Sequence, residues 1–301
     1  WDTGEETSRL PMSAAAEAKY GAPQLTVHRA DLLAALAEAL PEGALHLGAK
    51  VAGADPDGAL IMADGHRIEA DAVIGADGIH SPVRTALFGP DAPRFTGLVS
   101  WRAVVPRASV ADLPNLDSFP KWRGPTPDRQ IVIFPLSRGE EIFVFATTAR
   151  DGWTEEGWTL PGDPDALRAA YADFHPEARA LLDAVTEVTR SALHVRDPMP
   201  AWSRGCATLL GDAAHPMVPF MAQGACMAIE DAVVLARALE GATPATVPQA
   251  LAAYAAARRP RTERVQENSL ANDWLKQGGN ADWVYGYDAW AAQPGETVPA
   301  A

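Results

Sequence analysis

Residues 209–232, LLGDAAHPMVPFMAQGACMAIEDA, carry the pattern that is most informative about the fold. The stretch begins with an apolar run, which predicts a short buried strand, and the run ends in the pair Gly211 and Asp212. A proline-containing loop then leads to Gly224 and Ala225, where a long helical pattern begins. In an open α/β sheet, ligands bind in the loops at the carboxyl ends of the strands. The stretch therefore predicts an α/β fold with a ligand site in this loop.

A second segment, residues 71–84 (DAVIGADGIHSPVR), has the same strand–loop–helix order. Its strand ends near Asp77 and Gly78, and Ser81 followed by Pro82 is a typical helix start. Glycine lets a cofactor approach the backbone closely, and the aspartate can accept hydrogen bonds from hydroxyl groups. Taken alone, the Asp77–Gly78 pair or the Gly211–Asp212 pair is also common in ordinary turns. The two motifs together indicate a cofactor site.

The helix start at Gly224 and Ala225 adds an electrostatic feature to this site. Backbone N–H groups and the positive end of the helix dipole stabilise negative charge there. A reduced flavin carries such charge on its N1–C2=O edge. The small side chains also leave room for a flat ring.

Residue patterns outside these two motifs predict further helices and strands. Residues 28–43 predict a helix, and residues 59–70 predict a hairpin that turns at Asp64 and Gly65. From about residue 92, proline, tryptophan and β-branched residues predict antiparallel sheet with one helix at 163–185. The α/β pattern returns near residue 200. We therefore expect a discontinuous cofactor domain (1–91 and 200–270), an inserted substrate domain (92–199) and a C-terminal tail (271–301).

Composition narrows the class of protein. The 301 residues are 48% hydrophobic and carry a net charge of −14, which argues against nucleic acid and anionic membrane as partners. No long apolar run predicts a membrane span, and the two cysteines lack metal-ligand spacing, so we expect no metal. A cytoplasmic monomer or homodimer that binds a small molecule is the expectation.

The motifs resemble those of the FAD-dependent aromatic-ring hydroxylases, of the salicylate hydroxylase and 6-hydroxynicotinate 3-monooxygenase type. Residues 27–33 (VHRADLL), 196–205 (RDPMPAWSRG), 256–261 (AARRPR) and 285–290 (YGYDAW) are similar to that family as well. The resemblance implies a Rossmann-like FAD/NAD(P)-binding domain and an inserted, mostly antiparallel β substrate domain. It also implies a monooxygenase that uses NADH or NADPH and O2. Such an enzyme hydroxylates an aromatic or heteroaromatic ring through a flavin C4a-hydroperoxide.

The resemblance also implies roles for individual residues. By this match Arg29, Asp77, Gly78 and Gly211 contact FAD, and Asp212 holds its ribityl chain. Pro219, Gly224 and Ala225 are expected to line the isoalloxazine ring.

The chain departs from the family pattern at three places. No GxGxxG occurs in the sequence, whereas the family has one before the segment that matches residues 27–33. The resemblance therefore implies a cofactor domain that lacks its first βαβ unit. The family often has a histidine or tyrosine in the strand at 129–136 and sometimes a polar residue at 220. This chain has Ile133, Phe134 and Phe220 at those positions.

Five further residues are candidates for the substrate site, and two of them, Arg102 and His215, have two possible interpretations. Ile133, Phe134 and Phe220 are expected to form an apolar substrate pocket. Arg102 either pairs with a substrate carboxylate or is an exposed arginine of the sheet. His215 either polarises the substrate or the flavin, or it is a structural loop histidine.

Two further hypotheses stay beside aromatic hydroxylation. One is a flavin epoxidase or oxidase that acts on a non-aromatic substrate. The other is an FAD-free relative that acts as a binding module, which the missing GxGxxG favours. The acidic pair Glu230 and Asp231 is expected on the polar flank of its helix rather than in acid–base chemistry.

Overall fold

The computed structural model describes residues 1–12, 14–155, 157–272 and 281–292. Its α-helices are α1 (Ala14–Tyr20), α2 (Arg29–Glu38), α3 (Pro82–Phe88), α4 (Pro164–Ala170), α5 (Pro176–Asp183), α6 (Gly224–Leu239), α7 (Val247–Ala271) and α8 (Asp282–Tyr285). Its strands are β1 (Val51–Ala54), β2 (Ala59–Met62), β3 (Arg67–Glu69), β4 (Val73–Gly75), β5 (Arg94–Pro106), β6 (Lys121–Arg123), β7 (Gln130–Leu136), β8 (Glu141–Ala149), β9 (Leu160–Pro161), β10 (Thr189–Val195), β11 (Ser203–Arg204) and β12 (Ala207–Leu209).

The backbone divides into two compact units. We call residues 1–45 and 95–193 the β unit, and residues 46–94 and 194–301 the α/β unit. The division differs from the predicted boundaries because residues 1–45 group with the inserted sheet. The residues predicted as a C-terminal tail are described only at 271–272 and 281–292. The assignment of cofactor and substrate roles to the two parts stays a prediction.

The β unit is built on one six-stranded sheet with the strand order β6-β7-β8-β5-β10-β9. Strands β7 and β8 pair antiparallel, and β5 pairs with β8 from Leu98 to Pro106. This confirms the predicted antiparallel sheet. One face of the sheet presents Ile131, Ile133 and Val144 to a core that includes residues of α4 and α5.

The helical segment of the β unit differs from its prediction. A single helix was expected over 163–185, but the chain forms α4 and α5 with a break between them. Helix α4 ends at Ala170, and His175 stays outside α5 because proline disfavours a helical conformation for the residue before it. His175 instead caps α5, because its Nδ1 accepts a hydrogen bond from the Glu177 amide at 3.4 Å.

The α/β unit contains two three-stranded sheets. In one, β12 lies between β11 and β4 and pairs with β4 in parallel, so that Leu209 is opposite Gly75. In the other, β1, β2 and β3 pair antiparallel. The predicted hairpin turn is confirmed there, since the His66 amide donates to Asp64 Oδ1 at 2.9 Å.

The predicted helix starts are confirmed where the signal is local. Ser81 caps α3 by accepting a hydrogen bond from the Arg84 amide at 2.8 Å, and Pro82 is the first helical residue. Helix α2 also forms, over Arg29–Glu38 instead of the predicted 28–43, and none of its residues is buried. Leu33 and Leu36 in this helix, and Leu40 just after its end, are 51%, 55% and 48% exposed, respectively. Over the described residues, every helix is too short or too polar to cross a membrane.

Candidate functional site

The predicted cofactor motifs meet at one edge of the α/β unit. Strands β4 and β12 are parallel neighbours, and the pairing continues past them because the Leu210 amide donates to the Gly75 carbonyl at 3.0 Å. The chain after β4 carries Asp77 and Gly78, and the chain after β12 carries Asp212. The two loops therefore leave the sheet at its carboxyl edge, where α/β proteins bind ligands.

Most of the predicted contact residues in these two loops are exposed or partly exposed to solvent. Asp77, Asp212, Pro219 and Ala225 are exposed, and Gly78, Phe220 and Gly224 are partly exposed. Most of the residues between Asp212 and Gly224 are buried, among them Ala213, Ala214, His215, Val218 and Met221, whereas Ala222 is exposed. The loop thus presents to solvent most of the side chains that the sequence assigns to the cofactor.

Asp77 and Gly78 have different local roles. The Asp77 carboxylate accepts hydrogen bonds from the Ser81 hydroxyl and, at 3.1 Å, from the Val83 amide, so it stabilises the start of α3. Gly78 has a φ of +80°, and a Cβ atom there would meet nothing within 4 Å. Space is therefore available for a cofactor at Gly78. A contact between the cofactor and Asp77 stays a prediction.

Gly211 shapes the loop instead of facing outward. It is buried with a φ of +61°, and an added Cβ would lie 3.1 Å from the Ala228 Cβ. Its amide donates to Asp231 Oδ2 at 3.1 Å. The prediction that Gly211 contacts the cofactor is not supported by this position. The turn it allows leaves the next residue, Asp212, exposed.

The start of α6 fits a flavin edge. No side chain caps this helix, and the residue two before it, Ala222, adopts a left-handed conformation with a φ of 54°. The first N–H groups of a helix have no partner within the helix and attract negative charge. Small residues at Gly224 and Ala225 keep these groups accessible. The residues present therefore fit FAD.

His215 lies in a buried ionic cluster. It is 1% exposed, and its Nε2 lies 2.5 Å from Asp231 Oδ2. Arg258 Nε donates to Asp231 Oδ1 at 2.7 Å, and the His215 ring packs 5.1 Å from that of Trp202. A side chain in this position does not reach solvent or a ligand in solvent. The geometry supports the structural interpretation of His215 over the predicted catalytic one.

The expectation for Glu230 and Asp231 is wrong. Asp231 is fully buried, and Glu230 forms ion pairs with Arg261 and Arg258, each at 2.7 Å. Burial alone would raise the pKa of Asp231. The hydrogen bond from His215 and the charges of His215 and Arg258 nevertheless hold this pKa below its ordinary value of 3.8. Helical periodicity could not show this, because the neutralising arginines come from α7.

The second group of predicted residues lies on the sheet of the β unit. Arg102 pairs with Phe145, Phe145 with Val132, and Phe134 with Phe143, so these residues share one face. Ile133 points to the opposite face and is 1% exposed within the core. Neighbouring residues of a strand face opposite sides. The prediction that Ile133 and Phe134 line one pocket is therefore wrong for Ile133.

An aromatic strip on this face was not predicted from the sequence. The aromatic strip consists of Phe119, Phe134, Phe143 and Phe145. The Phe134 ring stacks on that of Phe119 with centroids 5.0 Å apart, and it lies 4.8 Å from that of Phe143. The alternation in residues 141–148 (EIFVFATT) places Phe143 and Phe145 on one side and could have revealed them.

Arg102 lies on the same face with an unusual electrostatic environment. Its guanidinium stacks 3.9 Å above the Trp158 ring and donates to Ser191 Oγ at 3.0 Å and to the Trp158 carbonyl. Its buried Nε atom has no hydrogen-bond partner, and no carboxylate pairs with it among the described residues. Burial lowers the pKa of Arg102. A desolvated cation of this kind is stabilised by an anion.

The two remaining predicted residues, Arg29 and Phe220, belong to different units. Arg29 is exposed at the first position of α2 in the β unit. Phe220 is partly exposed in a short 3₁₀ turn, Pro219–Met221, of the α/β unit.

Three comparisons with known proteins, by family, by sequence and by structure, agree with one another. The family described as FAD binding domain matches residues 8–269. A 6-hydroxynicotinate 3-monooxygenase of Bordetella bronchiseptica is 40% identical over 97% of this chain and 76% of its own. A 3-amino-4-hydroxybenzoate 2-monooxygenase of Streptomyces platensis is 39% identical over 89% of this chain and 68% of its own. A salicylate hydroxylase substrate complex superposes with a TM-score of 0.79 at 28% identity, covering 91% of this chain and 76% of that one.

The fold and the loop edge thus define a flavoprotein. The chain belongs to the FAD binding domain family, and its relatives are FAD-dependent monooxygenases of aromatic rings. The resemblance inferred from the sequence motifs is confirmed, as is the Rossmann-like fold with its antiparallel sheet.

Proposed function

We propose that this chain is a monooxygenase that hydroxylates an aromatic or heteroaromatic carboxylate, such as a hydroxynicotinate or a hydroxybenzoate. The observation that carries this proposal is Arg102, a desolvated guanidinium without a carboxylate partner among the described residues. It lies on the same sheet face as the aromatic strip. A ring that bears a carboxylate matches both features.

The β unit would bind this substrate in two ways. Arg102 donates charge-assisted hydrogen bonds to the carboxylate, and stacking on Trp158 holds the guanidinium plane in place. Phe134 and Phe143 contact the ring and exclude water from it. Orientation by these groups determines which ring carbon is presented for reaction.

The α/β unit would hold FAD through Asp212, the open backbone at Gly78 and the start of α6. When bound, FAD carries electrons from NADH or NADPH to O2. Asp212 accepts hydrogen bonds from ribityl hydroxyl groups, and the first amides of α6 stabilise negative charge on the flavin ring. We assign no proton transfer to His215, because its side chain is buried in the Asp231 cluster.

The test combines cofactor binding with product analysis. The purified chain is titrated with FAD while flavin absorbance and fluorescence are recorded. NADH and NADPH oxidation is then measured with 6-hydroxynicotinate and salicylate, and with their neutral amides as matched controls. We expect flavin binding and a hydroxylated product from the acids, with much weaker stimulation by the amides. Equal turnover of acids and amides would contradict the role of Arg102.

An FAD-free binding module is the second candidate, which the flavin titration tests directly. A chain that shows no flavin spectrum after incubation with excess FAD, yet binds the acids, would support this candidate. Conversion of a non-aromatic substrate would support an epoxidase or oxidase. The cytoplasmic location and the monomeric or homodimeric state remain predictions.

A further inference from the structure

A buried arginine supports the loop that carries Asp212. Arg84, in α3, is 4% exposed. Its guanidinium donates to the carbonyl oxygens of Ala213 at 3.0 Å and Ala214 at 3.2 Å. These carbonyls belong to residues 210–215, which we call the Asp212 loop. The position of this loop therefore depends on where Arg84 is held.

A second arginine supports the other cofactor loop in the same manner. Arg196 is 7% exposed, and its Nε and Nη2 atoms donate to the Ile79 carbonyl at 3.0 and 2.7 Å. Ile79 lies in residues 76–81, which we call the Gly78 loop. Each of the two loops thus has its own buried guanidinium bound to backbone oxygen.

Asp91 joins the two arginines. Its Oδ2 lies 2.7 Å from Arg84 Nη2, and its Oδ1 forms an ion pair with Arg196 Nη1. Burial opposes ionisation of Asp91, but the hydrogen bonds from Arg84 and Arg196 hold its pKa below the ordinary value. Without this carboxylate, two buried positive charges would lack their shared counter-charge.

We propose that Asp91 is a positioning residue for FAD, which ties the Gly78 loop and the Asp212 loop together through Arg196 and Arg84. The inference rests on the proposed function, because it concerns the cofactor site. Asp91 itself is 44% exposed, so it contributes little to the core. Loss of its charge is therefore expected to affect the two loops more than the fold.

The test compares Asp91→Asn with Asp71→Asn. Asp71 is an exposed acid of the same unit, so its substitution makes the same change in net charge away from the two loops. Three quantities are measured: FAD affinity by fluorescence titration, thermal midpoint by circular dichroism, and amide exchange. The informative amides are Ser81, Ala214 and His215, which donate to the Gly78 and Gly211 carbonyls at 3.0, 2.9 and 2.9 Å, respectively.

We expect Asp91→Asn to lower FAD affinity about tenfold, the effect of losing one charge-assisted hydrogen bond. Exchange is expected to accelerate in both loops, while Asp71→Asn changes neither quantity. Unchanged affinity in Asp91→Asn, or faster exchange in only one loop, would overturn the inference. If wild type binds no FAD, the proposed function fails, and the exchange data still decide whether Asp91 couples the loops.

A second variant covers the case in which Asp91→Asn does not fold. Asp91→Glu keeps the charge but moves the carboxylate by one methylene group, which displaces both guanidinium groups. We expect this variant to melt like wild type and to bind FAD several-fold more weakly, within the energy of a single hydrogen bond. Wild-type FAD affinity in Asp91→Glu would then overturn the proposal.

Discussion

His215 Nε2 lies 2.5 Å from Asp231 Oδ2, and both side chains are buried. The same carboxylate binds Arg258 and accepts a hydrogen bond from the Gly211 amide. One buried charge therefore joins α6, α7 and the Asp212 loop. Because Asp231 has three partners, we expect its substitution to affect the stability of the fold more than the reaction chemistry.

Asp231→Asn is expected to lower the free energy of unfolding by about 3 kcal/mol, the cost of leaving a buried ion pair without one partner. Urea unfolding followed by circular dichroism measures the change. Glu240→Gln, an exposed acid at the C-terminal end of the same helix, is the matched control and should alter stability little. Equal stabilities of the two variants would contradict the role of the cluster.

The pH dependence of stability follows from the pKa of Asp231. Its pKa is held below the ordinary value of 3.8 in the folded state, so its contribution is present above that value. The contribution is lost as the pH falls through the lower folded-state pKa, because protonation then favours the unfolded chain. The stability difference between wild type and Asp231→Asn should therefore shrink below pH 3.8. A difference that stays constant as the pH is lowered well below 3.8 would contradict the assignment.

Arg102→Met is expected to raise the KM for an aromatic carboxylate about 10- to 100-fold, since one charge-assisted pair is lost. The KM for the corresponding neutral amide should change little. Arg107→Met is the control, because Arg107 pairs with Asp117 at the surface of the same unit. A similar loss for acid and amide would indicate that Arg102 supports the fold instead of binding the substrate.

Ile133 and Phe134 should separate stability from substrate binding, although they are adjacent. Ile133→Ala removes a core side chain and is expected to cost about 2–5 kcal/mol of unfolding free energy. Phe134→Ala acts on the opposite face and is expected to raise the KM for the aromatic substrate with a smaller loss of stability. Unfolding curves and steady-state kinetics of both variants decide the point. The reverse pattern would mean that the substrate binds the other face.

Asp212→Ala is expected to weaken FAD binding by roughly 1.5–3 kcal/mol, because a charge-assisted hydrogen bond to the ribityl chain is lost. Flavin fluorescence titration measures this change. Pro219→Ala, at another exposed position of the same segment, removes no hydrogen bond and should have a smaller effect. An Asp212→Ala variant with wild-type affinity would remove Asp212 from the cofactor site.

Features that depend on neighbours in the chain could be predicted from the sequence. The cap at Ser81, the hairpin turn at Asp64 and the strand that ends before Asp212 all rest on short-range hydrogen bonds or short apolar runs. The two motifs also indicated the family, because each of them is a contiguous run of residues. Local signals of this kind act within a few residues, so they are visible in the sequence itself.

Features that depend on distant partners became visible only in the tertiary structure. Asp231 looked like a surface acid until α7 supplied Arg258, and Asp91 had no assigned role until Arg84 and Arg196 flanked it. Strand alternation could show that Ile133 and Phe134 face opposite sides, but not which side is the core. The order of the amino acids was enough to predict the fold class and the two strand–loop–helix motifs. Tertiary packing settled which charges are buried together, because a charge is stabilised by groups that are close in space rather than along the chain.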